Sequence, residues 1–222
     1  RIVPDADQSD LFVVAFRSGS AAEELSLAVI ERDAAGVSVE VFPTMDLTKP
    51  SGKLVLDGVR VAADGLLGEH GGAASTIHWL VDVGAVLVAA EAVGAAEAAV
   101  HTTTEFAKER DQFDSKIGRF QGVKHPLAEM HVDVESFKSL VEYAAWCLDE
   151  EDESASVAAS RAKAYAAEAF SRIGIDGVQL HGGVGYTDEY DIQLYLKRSK
   201  WVRPAFGDSD YHYDRIATLG GL

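Results

Sequence analysis

Residues 107–121 read Ala107-Lys108-Glu109-Arg110-Asp111-Gln112-Phe113-Asp114-Ser115-Lys116-Ile117-Gly118-Arg119-Phe120-Gln121. They separate one long helical pattern of apolar residues from another. A helix that exits with Arg110 and then turns through Asp114 and Gly118 carries a guanidinium to a helix–helix corner, beside Phe113 and Gln121. That set suits a dinucleotide. The guanidinium fork can grip a diphosphate at two points while the aromatic and the amide face the rest of the molecule. The same residues also fit a salt-bridged loop between two helices.

The flanking patterns set the architecture. Before the stretch, a helix is expected over residues 74–110. After it, a second is expected from Phe120 to Asp149, with Phe120, Val123, Leu127, Met130, Val134, Phe137, Val141, Ala144 and Leu148 in steps of three and four. That spacing is a bundle seam, so these residues read as core. Pro126 is expected near the first turn, where a missing N–H costs least. The acidic run Asp149–Glu153 reads as a solvated loop, and Ser154 as the cap of a third helix running to about Leu180. Shorter helices are expected over 188–202 and 209–219, separated by Pro204 and Gly207.

Residues 1–69 read as β. Strands are expected over Leu11–Phe16, Leu27–Ile30, Val37–Val41 and, as a pair or a bent strand, Lys53–Val61. These are too few for a closed sandwich. The expected fold class is therefore α+β. A partial antiparallel β-domain (1–69) precedes a C-terminal four-helix-type bundle (70–222). The chain starts Arg1-Ile2-Val3-Pro4 without Met or a signal-peptide pattern, and it reads as a piece of a longer protein.

Composition excludes several classes. The chain carries 36 acidic against 20 basic residues, which argues against nucleic acid or an anionic membrane as the main partner. A few local Arg and Lys can still hold an anionic cofactor. Cys147 is the single cysteine, so no internal disulfide forms. A reducing, cytoplasmic setting is the expected home, with Cys147 as a buried packing residue. The run Ile77–Val100 is apolar enough to raise the question of a membrane span. Asp82, Glu91 and Glu97 interrupt it, and Ala and Gly dominate it, so it reads as a tightly packed bundle helix without membrane insertion. It is also apolar nearly all round and must bury more than one stripe, so the chain is expected not to be a monomer. The histidines lack the spacing of a helical zinc pair: His125 and His131 lie on different faces, and His181 and His212 fall in separate loops. No metal is expected, and no Gly-x-Ser-x-Gly elbow is present. Trp79, Trp146 and Trp201 read as packing residues.

A second motif, Val178-Gln179-Leu180-His181-Gly182-Gly183-Val184-Gly185-Tyr186, closes the third helix. Paired glycines past a helix end let backbone approach a ligand, and Gln179 can hydrogen-bond a nucleotide. It is not a Rossmann fingerprint, because it follows a helix and lacks the βαβ context. By itself it fits a glycine-rich helix stop equally well.

Together the two motifs resemble the acyl-CoA dehydrogenase family. Residues 110–121 resemble its R-x-Q-F-G-x-x-I-x-x-F-Q signature, with Asp114 where the family usually has Gly, and residues 179–185 resemble its Q-x-x-G-G-x-G motif. The run Val59-Arg60-Val61 and then Gly65-Leu66-Leu67-Gly68 is similar to the exit of the family's middle β-domain. The resemblance implies FAD as cofactor and an acyl-CoA substrate that undergoes α,β-dehydrogenation. It also implies a homo- or heterotetramer, and an electron-transfer flavoprotein as acceptor. Arg110, Asp111, Gln112 and Phe113 would lie at the diphosphate end of FAD, Phe120 and Gln121 close by, and Gln179, Leu180, His181, Gly182 and Gly183 along the adenosine. The flavin would be bound largely by a neighbouring subunit.

The resemblance assigns no catalytic residue. Of the family's two usual positions for a catalytic Glu, Phe206 occupies one and Gly84 the other. Neither can accept a proton, and Asp82 and Asp208 are the nearest carboxylates. Asp208 reads more simply as a helix cap. The runs Leu194–Arg198 and Phe206–Asp208 resemble a bacterial branch in which two dehydrogenase-like chains share sterol or other bulky acyl-CoA breakdown. A non-catalytic assembly subunit of such a complex is the alternative expectation.

Overall fold

Short extended segments fill the N-terminal third of the chain. The computed structural model describes residues 2–220. Within these, β1 (Ile2–Pro4), β2 (Leu11–Arg17), β3 (Leu25–Glu31), β4 (Val37–Phe42), β5 (Ser51–Leu56) and β6 (Leu66–Leu67) form two antiparallel sheets. The strand orders are β1-β5-β4 and β2-β3-β6. Phe12, Leu54 and Ala6 form a small buried core, with Val3, Val14, Val37 and Val39 packed on it. An apolar cleft of about 270 Å³, lined by Val14, Phe16, Ile30, Leu56 and Val59, stays open.

The strands differ from the pattern in one long element and two short ones. The expected strand over 53–61 stops at Leu56, because Gly58 turns the backbone left-handed (φ 64°). β1 and β6 are too short to leave an alternation that a sequence window could detect.

The helical part comprises α1 (Ala74–Glu109), α2 (Gln121–Asp149), α3 (Ala155–His181), α4 (Ile192–Val202) and α5 (Ser209–Leu219). Between α1 and α2 lies a small hairpin, β7 (Asp111–Gln112) with β8 (Ser115–Lys116). The chain divides into two compact units, one ending at Leu80 and the other beginning at Val81. The division thus falls inside α1, later than the change of sequence period.

One core joins four of the helices. Val86, Ala89, Ala92, Ala96 and Ala99 of α1 meet Met130, Val134, Phe137 and Val141 of α2, Ala159, Ala166 and Phe170 of α3, and Ile192 and Val202 of α4. The alanine stripe lets helices approach closely, and Phe137, Phe170 and Met130 fill the space between them. By length and composition α1 could cross a membrane, yet half of its most apolar window is buried, as in the core helix of a bundle. Cys147 is buried and free, as a packing residue should be.

Several side chains depart from the expected pattern. Phe120 is 37% exposed and does not belong to the α2 seam, which starts to be fully buried only at Met130. Trp79 and Trp146 are exposed rather than packed, and Trp146 stacks on Tyr143 at the surface. Pro126 stands in the second turn of α2, inside the helix, where it removes one helix bond. Ser154 does not cap α3 with its side chain. Instead Asp152 accepts from both the Ser154 amide (2.8 Å) and its hydroxyl (2.6 Å). The carboxylate in the acidic loop outcompetes the hydroxyl as the stronger acceptor. His181 is the last residue of α3 and His212 lies inside α5, so neither belongs to a loop.

Candidate functional site

Arg110 follows the last turn of α1, its amide donating to the Phe106 carbonyl at 2.9 Å. Its guanidinium is exposed and makes no hydrogen bond or ion pair among the described residues. The hairpin beyond it is tight. Asp111 pairs with Lys116 and Gln112 with Ser115, leaving Phe113 and Asp114 as the two turn residues, both left-handed (φ 55° and 56°). A two-residue hairpin needs positive φ at both positions. Asp tolerates that region, which explains how Asp114 replaces a glycine. Phe does not, and a strained residue of this kind costs about 1–3 kcal/mol and tends to mark a functional site. The Phe113 ring is 85% exposed and lies edge-on to Phe120 at 6.0 Å between centroids. Gly118 lets the next turn pass close to the Ala107 carbonyl, where a Cβ would crowd it.

Other members of this group are already engaged. Asp111 is paired with Lys116 at 2.6 Å, and the Gln112 amide donates to the Asp111 carbonyl. Gln121, at the start of α2, is exposed. The second motif ends α3. Gln179 is exposed, and Gly182 is left-handed (φ 64°). Nothing lies near the place a side chain on Gly182 or Gly183 would fill. Backbone open in this way can take a ligand at close range. Leu180 packs against the core and His181 is buried, so neither side chain is free to meet a ligand.

The two motifs meet at their roots. His181 stacks on Phe106, with 4.2 Å between centroids, one helical turn before Arg110. Between them the two motifs supply an unpaired cation, an exposed aromatic, two exposed amides and open glycine backbone. That donor set fits a dinucleotide, whose diphosphate needs a fork of N–H groups and whose rings need flat apolar surface. Among the described residues no cluster of three or more His, Cys, Asp or Glu fits a metal ion.

Gly84 and Phe206, at the family's two usual positions for a catalytic Glu, lie together. The Phe206 ring rests on Gly84 of α1, and a Cβ at Gly84 would overlap it. Phe206 is itself left-handed (φ 54°). Its loop is held from below by Lys163, whose ammonium donates to the Arg203 carbonyl (3.1 Å) and the Gly207 carbonyl (2.9 Å). His212 Nε2 donates to the Phe206 carbonyl at 3.0 Å. Burial pushes Lys163 down to about 8, opposed by Asp208. Burial first, then the Lys163 charge, pushes His212 down to about 4. The two nearby carboxylates are occupied. Asp208 caps α5 by accepting from the Tyr211 amide at 2.9 Å, the simpler role expected of it. Asp82 is buried and accepts from Arg215 and Ser156. Only the cap was visible as a spacing signal.

This packing carries a prediction. Gly84→Ala is expected to destabilise the fold by about 1–3 kcal/mol, the usual cost of overpacking. Phe206→Ala in the same chain should remove most of that loss. Urea midpoints of the two single variants and the double variant measure it. Equal losses from Gly84→Ala with and without the ring would show that the methyl never meets Phe206.

The bundle with its strained hairpin and open glycine turn defines a class. The chain belongs to the acyl-CoA dehydrogenase family: residues 71–219 match the sequence profile of "Acyl-CoA dehydrogenase, C-terminal domain". It is 35% identical over 153 residues to the short-chain specific acyl-CoA dehydrogenase of Megasphaera elsdenii, covering 69% of this chain and 40% of that protein. It is 38% identical over 157 residues to acyl-CoA dehydrogenase IpdE2 of Mycolicibacterium smegmatis, covering 71% and 45%. The structure of butyryl-CoA dehydrogenase from Megasphaera elsdenii superposes with a TM-score of 0.92 at 26% identity, over 99% of this chain and 58% of that one. The chain thus spans less than half the length of these two curated relatives. The α+β class read from the sequence is the class observed.

Proposed function

We propose that this chain is part of an FAD-dependent acyl-CoA dehydrogenase that removes hydrogen from the α and β carbons of an acyl-CoA thioester. In this reading residues 1–69 belong to a middle β-domain and 70–222 to the helical domain. The observation that carries it is the unpaired Arg110 guanidinium on a hairpin whose Phe113 is both left-handed and exposed. Arg110 grips the diphosphate. Phe113, Phe120 and Gln121 flank it, with Asp111 and Gln112 shaping the hairpin. Gln179 and the backbone of Leu180, His181, Gly182 and Gly183 follow the adenosine. FAD, when bound, supplies the hydride acceptor, and an electron-transfer flavoprotein takes the electrons onward in the cytoplasm. The exposed Leu87, Val132, Trp146 and Ile175 support a homo- or heterotetramer in which another subunit covers them.

The test is the visible spectrum of the full-length protein, purified with its natural partner. Flavin absorbance is expected. A colourless complex that gains none on addition of FAD would sink the cofactor reading.

A second reading, a non-catalytic assembly subunit, is favoured by the Gly84–Phe206 contact. An aromatic ring stands at one usual position of the proton-accepting carboxylate and packs on the other. Acyl-CoA-dependent dye reduction, before and after mixing with a sister chain, separates the two. Turnover by the isolated homo-oligomer rejects the assembly reading. Turnover only after mixing, lost when the sister's Glu is replaced, supports it.

A further inference from the structure

We propose that His181 is a positioning residue whose ring joins the base of the Arg110 hairpin to the Gly182–Gly185 turn and so sets the spacing of the two proposed nucleotide-binding motifs. The proposal rests on the FAD reading above, but its geometry stands apart from any ligand. His181 ends α3, and the glycine turn starts at the next residue. Its ring is 4% exposed and lies parallel to Phe106 of α1, at 23° between planes. Tyr190, from the turn before α4, meets both rings edge-on, at 5.7 Å from Phe106 and 6.0 Å from His181. The Phe106 carbonyl accepts from the Arg110 amide, so a shift of this stack moves the base of the hairpin. The other side is equally constrained. A Cβ at Gly185 would overlap the Val178 carbonyl and press on the His181 Cβ, so the turn passes close against the end of α3 at His181. Gly177, a turn earlier on α3, lets that helix approach Thr103 of α1 and Ile192 of α4.

The ring works as the neutral imidazole. Nδ1–H donates to the Gly177 carbonyl at 2.7 Å, which leaves Nε2 as the bare nitrogen. Nε2 is buried with no hydrogen-bond partner. Protonating it would create a buried N–H without an acceptor and a charge shut away from water, a costly arrangement. Burial lowers the affinity of this group for a proton, and the Gly177 carbonyl opposes it. Phe106 on α1 is uncharged. Tyr190 is the titratable side chain against the ring from the turn before α4, and α3 offers the Gly177 carbonyl. A group with a lowered folded pKa gives stability that is full above its unfolded value of about 6.5 and declines as pH falls below it. The joint should therefore loosen in acid.

The test compares His181→Phe and His181→Ala with the unaltered full-length protein in its natural assembly. His181→Phe keeps the stack and removes the titration. Loss of an aromatic pair predicts about three- to tenfold weaker flavin retention in His181→Ala near neutral pH. His181→Phe should retain more flavin than His181→Ala there, and its retention should fall less than the parent's between about pH 7 and pH 5. His212 is present in all three proteins, so its own titration cancels. A flavin-free arm reads amide hydrogen exchange at Ile117 and Gly185, whose bonds to Arg110 and Gly182 close the hairpin and the turn. His181→Ala should speed exchange at both sites together, and His181→Phe at neither. If no version holds flavin but this paired exchange persists, the cofactor reading fails and the joint stands. Unchanged exchange at either site in His181→Ala overturns the joint. Acid profiles identical in His181→Phe and parent overturn the neutral-imidazole role.

Discussion

Arg110→Ala is expected to release bound flavin, lowering affinity about tenfold to a hundredfold while helix content holds. The size follows from a charge-assisted contact worth about 1.5–3 kcal/mol. The selectivity follows from where the residue stands. Arg110 lies just past α1, exposed, and its side chain supports no other group among the described residues. The hairpin keeps its own ties: Lys116 holds Asp111 and the Glu109 carbonyl, and the Ile117 amide donates to the Arg110 carbonyl, which the substitution leaves in place. Arg110→Lys should fall between parent and alanine, because an ammonium keeps the charge and loses the planar fork. Flavin titration by fluorescence, with far-ultraviolet circular dichroism as the folding control, reads both effects. Unchanged flavin occupancy in Arg110→Ala would leave the guanidinium as a plain surface charge, the loop role that the sequence also allowed.

The same hairpin shows where sequence reading stops. The residue types and the corner between two helices were legible, because apolar period breaks there and resumes. The conformation was not. Phe113 is a poor choice for a left-handed position, so no propensity argument would place it there, and the strain appears only once the two-residue turn is closed. The α2 seam was legible from Met130 onward, where every third or fourth residue faces the core. Phe120 failed the pattern because it precedes the helix and meets Phe113 instead. Lys163 gave no signal at all. It sits in an alanine-rich helix like any solvated lysine, yet is fully buried under the Arg203 and Gly207 carbonyls. Such a role depends on a loop far along the chain, and one sequence carries no record of that pairing. The Gly84–Phe206 contact is of the same kind: both were visible as departures from the family, and their packing against one another was not.

Asp82→Ala should produce the largest stability loss. Asp82 is 5% exposed in its side chain, and Arg215 of α5 reaches it at 2.5 Å while retaining only 17% exposure. Ser156 donates to its other oxygen at 2.6 Å, and Arg215 also reaches the Ser160 hydroxyl at 3.2 Å. Removing one partner of a buried pair costs about 3–5 kcal/mol, because the remaining charge stays out of water without compensation. Arg215 keeps some solvent, which places the expected loss near the low end. The consequence reaches the candidate site. Asp82 lies one half-turn before Gly84, and Arg215 lies on the helix that follows Phe206 and Gly207, so the pair pins α5 and the aromatic loop to α1. Asp82→Ala with Arg215→Met should regain part of the loss, since the guanidinium no longer stays buried without its partner. Urea unfolding followed by circular dichroism gives the values, with an unchanged slope required for the comparison. A loss below about 1 kcal/mol, the range of exposed pairs, would mean that water reaches the guanidinium and the clamp is weak. A double variant no better than Asp82→Ala would assign the loss to the Ser156 bond and to packing around α1, and the charge pairing itself would then contribute little.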